Sequence, residues 1–182
     1  LVICSDPRGD LPTVAAEGEA LLSRLDESKV VDADLIADPT VETVRRQIKE
    51  YDIIHYAGHA EHDPEHPEES GWVLADGKLR AADVMALSGG RSMPLLVFSN
   101  ACRSSETEAW RPDGHQVYGL ANAFLLAGVR LYVGTQWEVV DGQSAELALA
   151  FYEALGRGAG AGMAMRVARK KIVRERGQEA LC

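Results

Sequence analysis

A chain of 182 residues with 46% hydrophobic content is long enough to fold around one full core, and no Pro/Ser/Gly-rich linker divides it, so residues 1–182 are expected to form a single domain. A formal net charge of −9 disfavours a nucleic-acid partner, because phosphate binding needs a concentrated basic face. No apolar stretch approaches the ~20 residues of a membrane span. The opening Leu1-Val2-Ile3-Cys4 lacks the basic start of a signal peptide, so the chain reads as soluble, without a membrane partner, and as a domain cut from a longer protein. Cys4, Cys102 and Cys182 are too widely spaced for a thiolate clip, which fits a reducing cytoplasmic compartment better than a disulfide framework.

Strand and helix patterns alternate from the first residue. Leu1 to Cys4 reads as a strand and leads into the Gly/Pro-rich turn Asp6 to Pro12. Thr13 caps a helix whose Val14, Gly18, Leu21, Leu22 and Leu25 form one stripe. Val30 to Ala37 is a second strand, Thr40 caps a helix through Lys49, and Asp52 to Ala57 is a third strand, apolar almost throughout, as parallel strands covered on both faces require. The Asp76-Gly77 turn between short apolar runs signals a small β-hairpin. Ala81 to Leu87 is a short helix, Leu95 to Phe98 a fourth strand, and Val117, Leu120, Ala121, Phe124 and Leu125 the inner face of a further helix. Val129 to Gly134 is a fifth strand, followed by a helix burying Leu147, Phe151, Ala154 and Leu155 and another from about Met163. The order predicts an α/β fold of the open, doubly wound kind, with helices on both faces of a mostly parallel sheet and a small β-hairpin beside it. The basic cluster Arg166, Arg169, Lys170, Lys171, Arg174 and Arg176 reads as a solvated helix face that complements the helix dipole.

Two strands deliver reactive side chains. Pro94-Leu95-Leu96-Val97-Phe98 runs into Ser99-Asn100-Ala101-Cys102-Arg103-Ser104, and Ile53 to Ala57 runs into Gly58-His59-Ala60. Both placements lie at the carboxyl edge of the sheet, where open α/β folds keep their sites. A free thiol has a pKa of ~8.5 and needs a neighbouring imidazole to become a thiolate at neutral pH. The pattern therefore points to a Cys102/His59 dyad, with the amides of Ala60 and Cys102 converging on an oxyanion. No third carboxylate can be assigned from the sequence, and Cys4 reads as core filler.

These residues resemble the CHAT domain, a caspase- and separase-related cysteine peptidase module found with tetratricopeptide repeats and in bacterial signalling proteins. The resemblance rests on Gly9-Asp10-Leu11-Pro12 with Glu17, His55-Tyr56-Ala57-Gly58-His59, Ser99 to Ser104, Gly119-Leu120-Ala121-Asn122-Ala123-Phe124-Leu125-Leu126-Ala127-Gly128, and Gly134-Thr135-Gln136-Trp137-Glu138-Val139-Val140-Asp141. It implies a caspase-like three-layer α/β/α sandwich and a thiol protease; because the thiolate is itself the nucleophile, no cofactor or metal is expected. It carries the dyad onto His59 and Cys102, and it implies a protein or peptide substrate and fused or associated regulatory domains. The specificity pocket implied by the resemblance maps to Asp6 and Arg8, Asn100, and Trp137 through Asp141, Glu138 included. Relatives that cut after basic residues often carry an acid two before the Cys, where this chain has neutral Asn100; Ala60 stands where many relatives have Gly. Relatives also tend to continue past this length into one more strand.

Two other readings compete. His55, His59, His62 and His66 fall in one short stretch with Glu61, Asp63 and Glu65, a composition that suits a metal. However, the segment Glu61 to Glu69 reads as a mobile acidic loop with no scaffold to fix ligand geometry. The same fold could also serve as a catalytically silent interaction module, against which the intact dyad argues. The five carboxylates of that loop, with Glu138 and Asp141, predict a negative cleft that accepts basic or uncharged residues in preference to Asp.

Overall fold

Long apolar runs without polar alternation become parallel strands sandwiched between helices, because both of their faces must be covered. The computed structural model describes residues 1–28, 32–90, 92–101, 119–135 and 143–177. In chain order the elements are β1 (Val2–Ser5), α1 (Thr13–Ser28), β2 (Leu35–Ala37), α2 (Val41–Gln47), β3 (Ile53–Gly58), β4 (Ala60–Glu61), β5 (Gly71–Leu74), β6 (Gly77–Arg80), α3 (Ala81–Ala86), β7 (Leu96–Asn100), α4 (Leu120–Ala127), β8 (Leu131–Gly134), α5 (Gln143–Gly156) and α6 (Ala161–Arg176).

The main sheet has the order β2-β1-β3-β7-β8, with every pairing parallel. One face packs against α2, α3 and α4 through Val44, Val84, Leu120 and Phe124; the other packs against α1, α5 and α6 through Val14, Leu21, Phe151 and Ala168. This is the expected three-layer α/β/α arrangement. Gly18 lets α1 approach closely, since a Cβ there would meet the Cys4 sulfur and lie 2.9 Å from Leu35 Cδ1.

Beside the main sheet, β4, β5 and β6 form an antiparallel sheet of their own. The predicted hairpin is β5 and β6, and β4 adds a third strand directly after His59. Trp72 anchors this small sheet to the large one. It is fully buried, stacks on Tyr56 with ring centroids 4.4 Å apart, and donates Nε1–H to Ser99 Oγ at 2.8 Å; burial of an indole this completely stabilises by roughly 3 kcal/mol.

Some boundaries differ from expectation. β2 begins at Leu35, because the polar stretch Asp32 to Asp34 precedes the ladder. The helix capped by Thr40 gives way at Ile48 to a tighter 3-10 turn. Thr13 is the first helical residue of α1. Leu125 does not belong to the inner face of α4: it is 45% exposed, while Leu120, Ala121, Ala123, Phe124 and Ala127 form the buried arc at helical spacing. Val117 lies outside the described residues.

Candidate active site

Three neighbouring strands end at one edge. Ser5 of β1 pairs with Gly58 of β3, and Ala57 of β3 pairs with Asn100 of β7. Gly58 is needed there because a Cβ would collide with the Ser5 carbonyl oxygen and lie 2.8 Å from Tyr56 Oη. The next residue, His59, has its main chain pinned from two sides. The Tyr56 hydroxyl donates to His59 O at 2.6 Å and reaches Val73 O at 2.9 Å, and Val73 N–H donates to His59 O at 2.9 Å. Burial raises the Tyr56 phenol well above its ordinary pKa, so it stays a donor. His59 and Val73 thus form a hydrogen-bonded pair of the ladder. Ala60 and Trp72 form the alternate, non-bonded pair, which turns the Ala60 amide to the outside of β4.

The His59 ring is fixed by a carboxylate that sequence reasoning did not assign. Its Nε2–H donates to Asp10 Oδ1 at 2.5 Å, and Asp6 Oδ1 stands 4.0 Å away. Asp6 builds the loop that presents Asp10: its Oδ1 accepts from the N–H groups of Gly9 (3.0 Å) and Asp10 (3.2 Å), and its Oδ2 from Leu11 N–H (3.0 Å). The Asp10 carboxyl is held below its usual range, first by the hydrogen bond to His59, with burial opposing. Asp10 stands inside the Gly9-Asp10-Leu11-Pro12 motif, so the motif carried the signal and the sequence could not say what it faced.

A second cluster lies beneath the sheet edge. His55 is a core histidine, but a fully engaged one: Glu17 Oε1 lies 2.9 Å from its Nε2 and Tyr152 Oη 3.2 Å from its Nδ1. Asn100 Nδ2 donates to both Glu17 oxygens at 2.7 Å. Burial, and after it the Glu17 charge, push the Tyr152 phenol upward. The Cys4 thiol is pushed up to about 12 by burial and then by Glu17, which leaves it a protonated core group.

Of the remaining predicted residues, Arg8 forms an ion pair with Glu61, which also accepts from Lys78 Nζ at 3.1 Å. Cys102, Trp137, Glu138 and Asp141 lie outside the described residues. Thr135 Oγ1 donates to the Ala101 carbonyl, tying the end of β8 to the residue before Cys102.

The acidic segment does have a scaffold, contrary to expectation. Asp63 Oδ1 accepts from Glu65 N–H (3.0 Å) and His66 N–H (2.8 Å), Ser70 Oγ accepts from Asp63 N–H (2.9 Å), and a 3-10 turn spans Pro67–Glu69. With Glu61 held by Arg8 and Lys78, and Glu69 by Arg80, the charge of this segment is partly compensated. The four histidines do not converge. Among the described residues the donor atoms that come within 4.8 Å of one another are those of Asp6, Asp10 and His59. Seating a cation there would require breaking the direct Asp10–His59 bond and the loop bonds to Asp6. Among those residues, too, no helix is long and apolar enough to cross a membrane.

Compared with known proteins, the sequence matches the CHAT domain family over residues 4–180. No curated protein sequence matches it. In structure it is similar to the Arg-specific cysteine proteinase gingipain R, with a TM-score of 0.72 and 14% identity over 99% of this chain. That match spans 43% of the gingipain chain.

Proposed function

Because the chain belongs to the CHAT domain family, whose fold is that of the caspase-like cysteine peptidases, we propose that it is an endopeptidase with Cys102 as nucleophile and His59 as base. One observation carries the reading. β3 and β7 pair in parallel at a constant offset of 43 residues, as in Ala57 with Asn100, and this offset is also the separation of His59 and Cys102 in the sequence. Adjacent parallel strands run about 4.8 Å apart, a spacing that suits a thiol–imidazole pair delivered from matched positions after two such strands.

In this reading His59 takes the proton of the Cys102 thiol, and the thiolate adds to the scissile carbonyl. The oxyanion receives hydrogen bonds from the outward-turned amide of Ala60 and from that of Cys102. Collapse breaks the C–N bond as His59 returns its proton to the departing amine. Water, deprotonated by the same imidazole, then hydrolyses the thioester and frees Cys102. Asp10 keeps the imidazole in one orientation and favours its protonated form during transfer. Asp6, Arg8, Asn100, Trp137, Glu138 and Asp141 are assigned to the substrate-binding cleft. The substrate is a protein in a regulated bacterial signalling or defence pathway, and fused or associated regulatory domains control access to it in the cytoplasm.

A peptide library made from a digested proteome tests the proposal. New amino termini found with the wild-type chain and missing with Cys102→Ala support it. Identical termini with both chains refute it and favour a silent interaction module.

A further inference from the structure

Glu17 occupies a position where the fold alone calls for an apolar side chain. It lies on the stripe of α1 that carries Val14 and Leu21, its side chain is 4% exposed, and the cluster around it contains Phe98, Phe151 and Tyr152. A carboxylate taken this far from water carries a desolvation penalty that well-packed leucine would avoid. What it gains is a set of directed hydrogen bonds.

Those bonds fix the polarity of the whole cluster. The Glu17 carboxylate accepts, so the imidazole Nε2–H donates to it, while Nδ1 stands beside the Tyr152 hydroxyl. Both Glu17 oxygens also face Asn100, and only its Nδ2 can meet them, because the flipped amide would set oxygen against oxygen. With Nδ2 committed inward, Asn100 Oδ1 is turned away from Glu17.

We propose that Glu17 is a specificity-determining positioning residue. By seizing the amide nitrogen of Asn100 it holds Oδ1 as a fixed acceptor at the end of β7, which selects substrates whose residue before the scissile bond carries a hydrogen-bond donor at its tip, Lys or Arg above all. This inference rests on the peptidase reading, in which Asn100, two residues before Cys102, lines the cleft. It also acts beside the acidic segment, in which Glu61 and Glu69 are already paired.

The test is the rate at which two peptidyl electrophiles, alike except for lysine or norleucine at the residue next to the reactive group, modify Cys102, read by mass spectrometry. The wild-type chain is expected to favour lysine by tenfold or more, the scale of one hydrogen bond to a charged group. Glu17→Gln, whose own amide lets Asn100 adopt either orientation, is expected to bring the ratio to about two or less. Asn100→Leu, which keeps the Glu17–His55 pair and sits at a partly exposed strand end, should do the same should Glu17→Gln fail to fold. A purely structural role for Glu17 would slow both reagents alike. Modification without a lysine preference in the wild type, or a preference retained in the variants, overturns the inference and leaves the peptidase reading standing. Failure of both reagents to modify wild-type Cys102 overturns both.

Discussion

His59 Nε2 stands 2.5 Å from Asp10 Oδ1, so the imidazole at the end of β3 is oriented by a carboxylate from the loop after β1. The two residues follow the adjacent parallel strands β1 and β3, and they meet because both chains turn at the same sheet edge.

Asp10→Asn should therefore lower kcat/KM by roughly tenfold or more while shifting Tm by less than about 2 °C, since Asp10 is exposed and contributes little packing. The pH dependence has a definite sign. The Asp10 carboxyl titrates below its usual range because His59 bonds to its charged form, with burial opposing. The interaction is therefore intact above the ordinary carboxylate pKa of about 4 and is lost only as the pH falls through the lowered value. A pH–rate profile should show no loss assignable to Asp10 above pH ~4.

Cys102→Ala and His59→Ala should each abolish peptide hydrolysis. The double variant should be no worse than either, because in the proposed dyad the two residues act as one unit. His59 makes its contacts at the surface loop and not in the core, so His59→Ala should keep the wild-type circular dichroism spectrum. Turnover near the wild-type level in either single variant would remove that residue from the dyad.

Gly58→Ala adds one methyl group and should destabilise by about 1–3 kcal/mol. The new Cβ has the Ser5 carbonyl and the Tyr56 hydroxyl in its way, and neither is the free end of a flexible side chain. Because Tyr56 Oη also holds His59 O, activity should fall further than thermal stability alone explains. Chemical denaturation alongside kinetics separates the two effects.

Cys4 should be chemically silent in the folded protein. Its thiol titrates near 12 because it is buried and faces the Glu17 charge, so at pH 7–9 it stays neutral. In a Cys102→Ala, Cys182→Ala background a thiol-reactive dye should label the chain only as denaturant unfolds it. Labelling at the rate of a model thiol under native conditions would contradict the buried placement of Cys4.

The parallel strands and the layers were legible because β1, β3 and β7 carry apolar runs that a doubly covered sheet accommodates. β4 has two residues, too few to show a period, and was missed. Leu125 misled because hydrophobicity was counted without its angular position on α4. The site was legible only in part. His59 could be placed from its strand-end position, whereas its Asp10 partner depends on how Asp6 folds the loop with its own side-chain oxygens. Glu17 appeared in a family motif, yet nothing local tells that an acid beside Gly18 faces inward toward His55 and Asn100. Contacts of this kind are set by tertiary packing and leave no periodic trace.

The polar contacts of the sheet edge span long stretches of chain: 49 residues separate Asp10 from His59, 83 separate Glu17 from Asn100, and 97 separate His55 from Tyr152. Each closes a large loop before it gives anything back, in contrast to the α5–α6 hairpin, whose partners are neighbours in sequence. The edge is thus the part of the molecule whose formation demands the most completed architecture. The His55–Tyr152 bond in particular cannot form until α5 has docked on the sheet, so it reports on the completed layer.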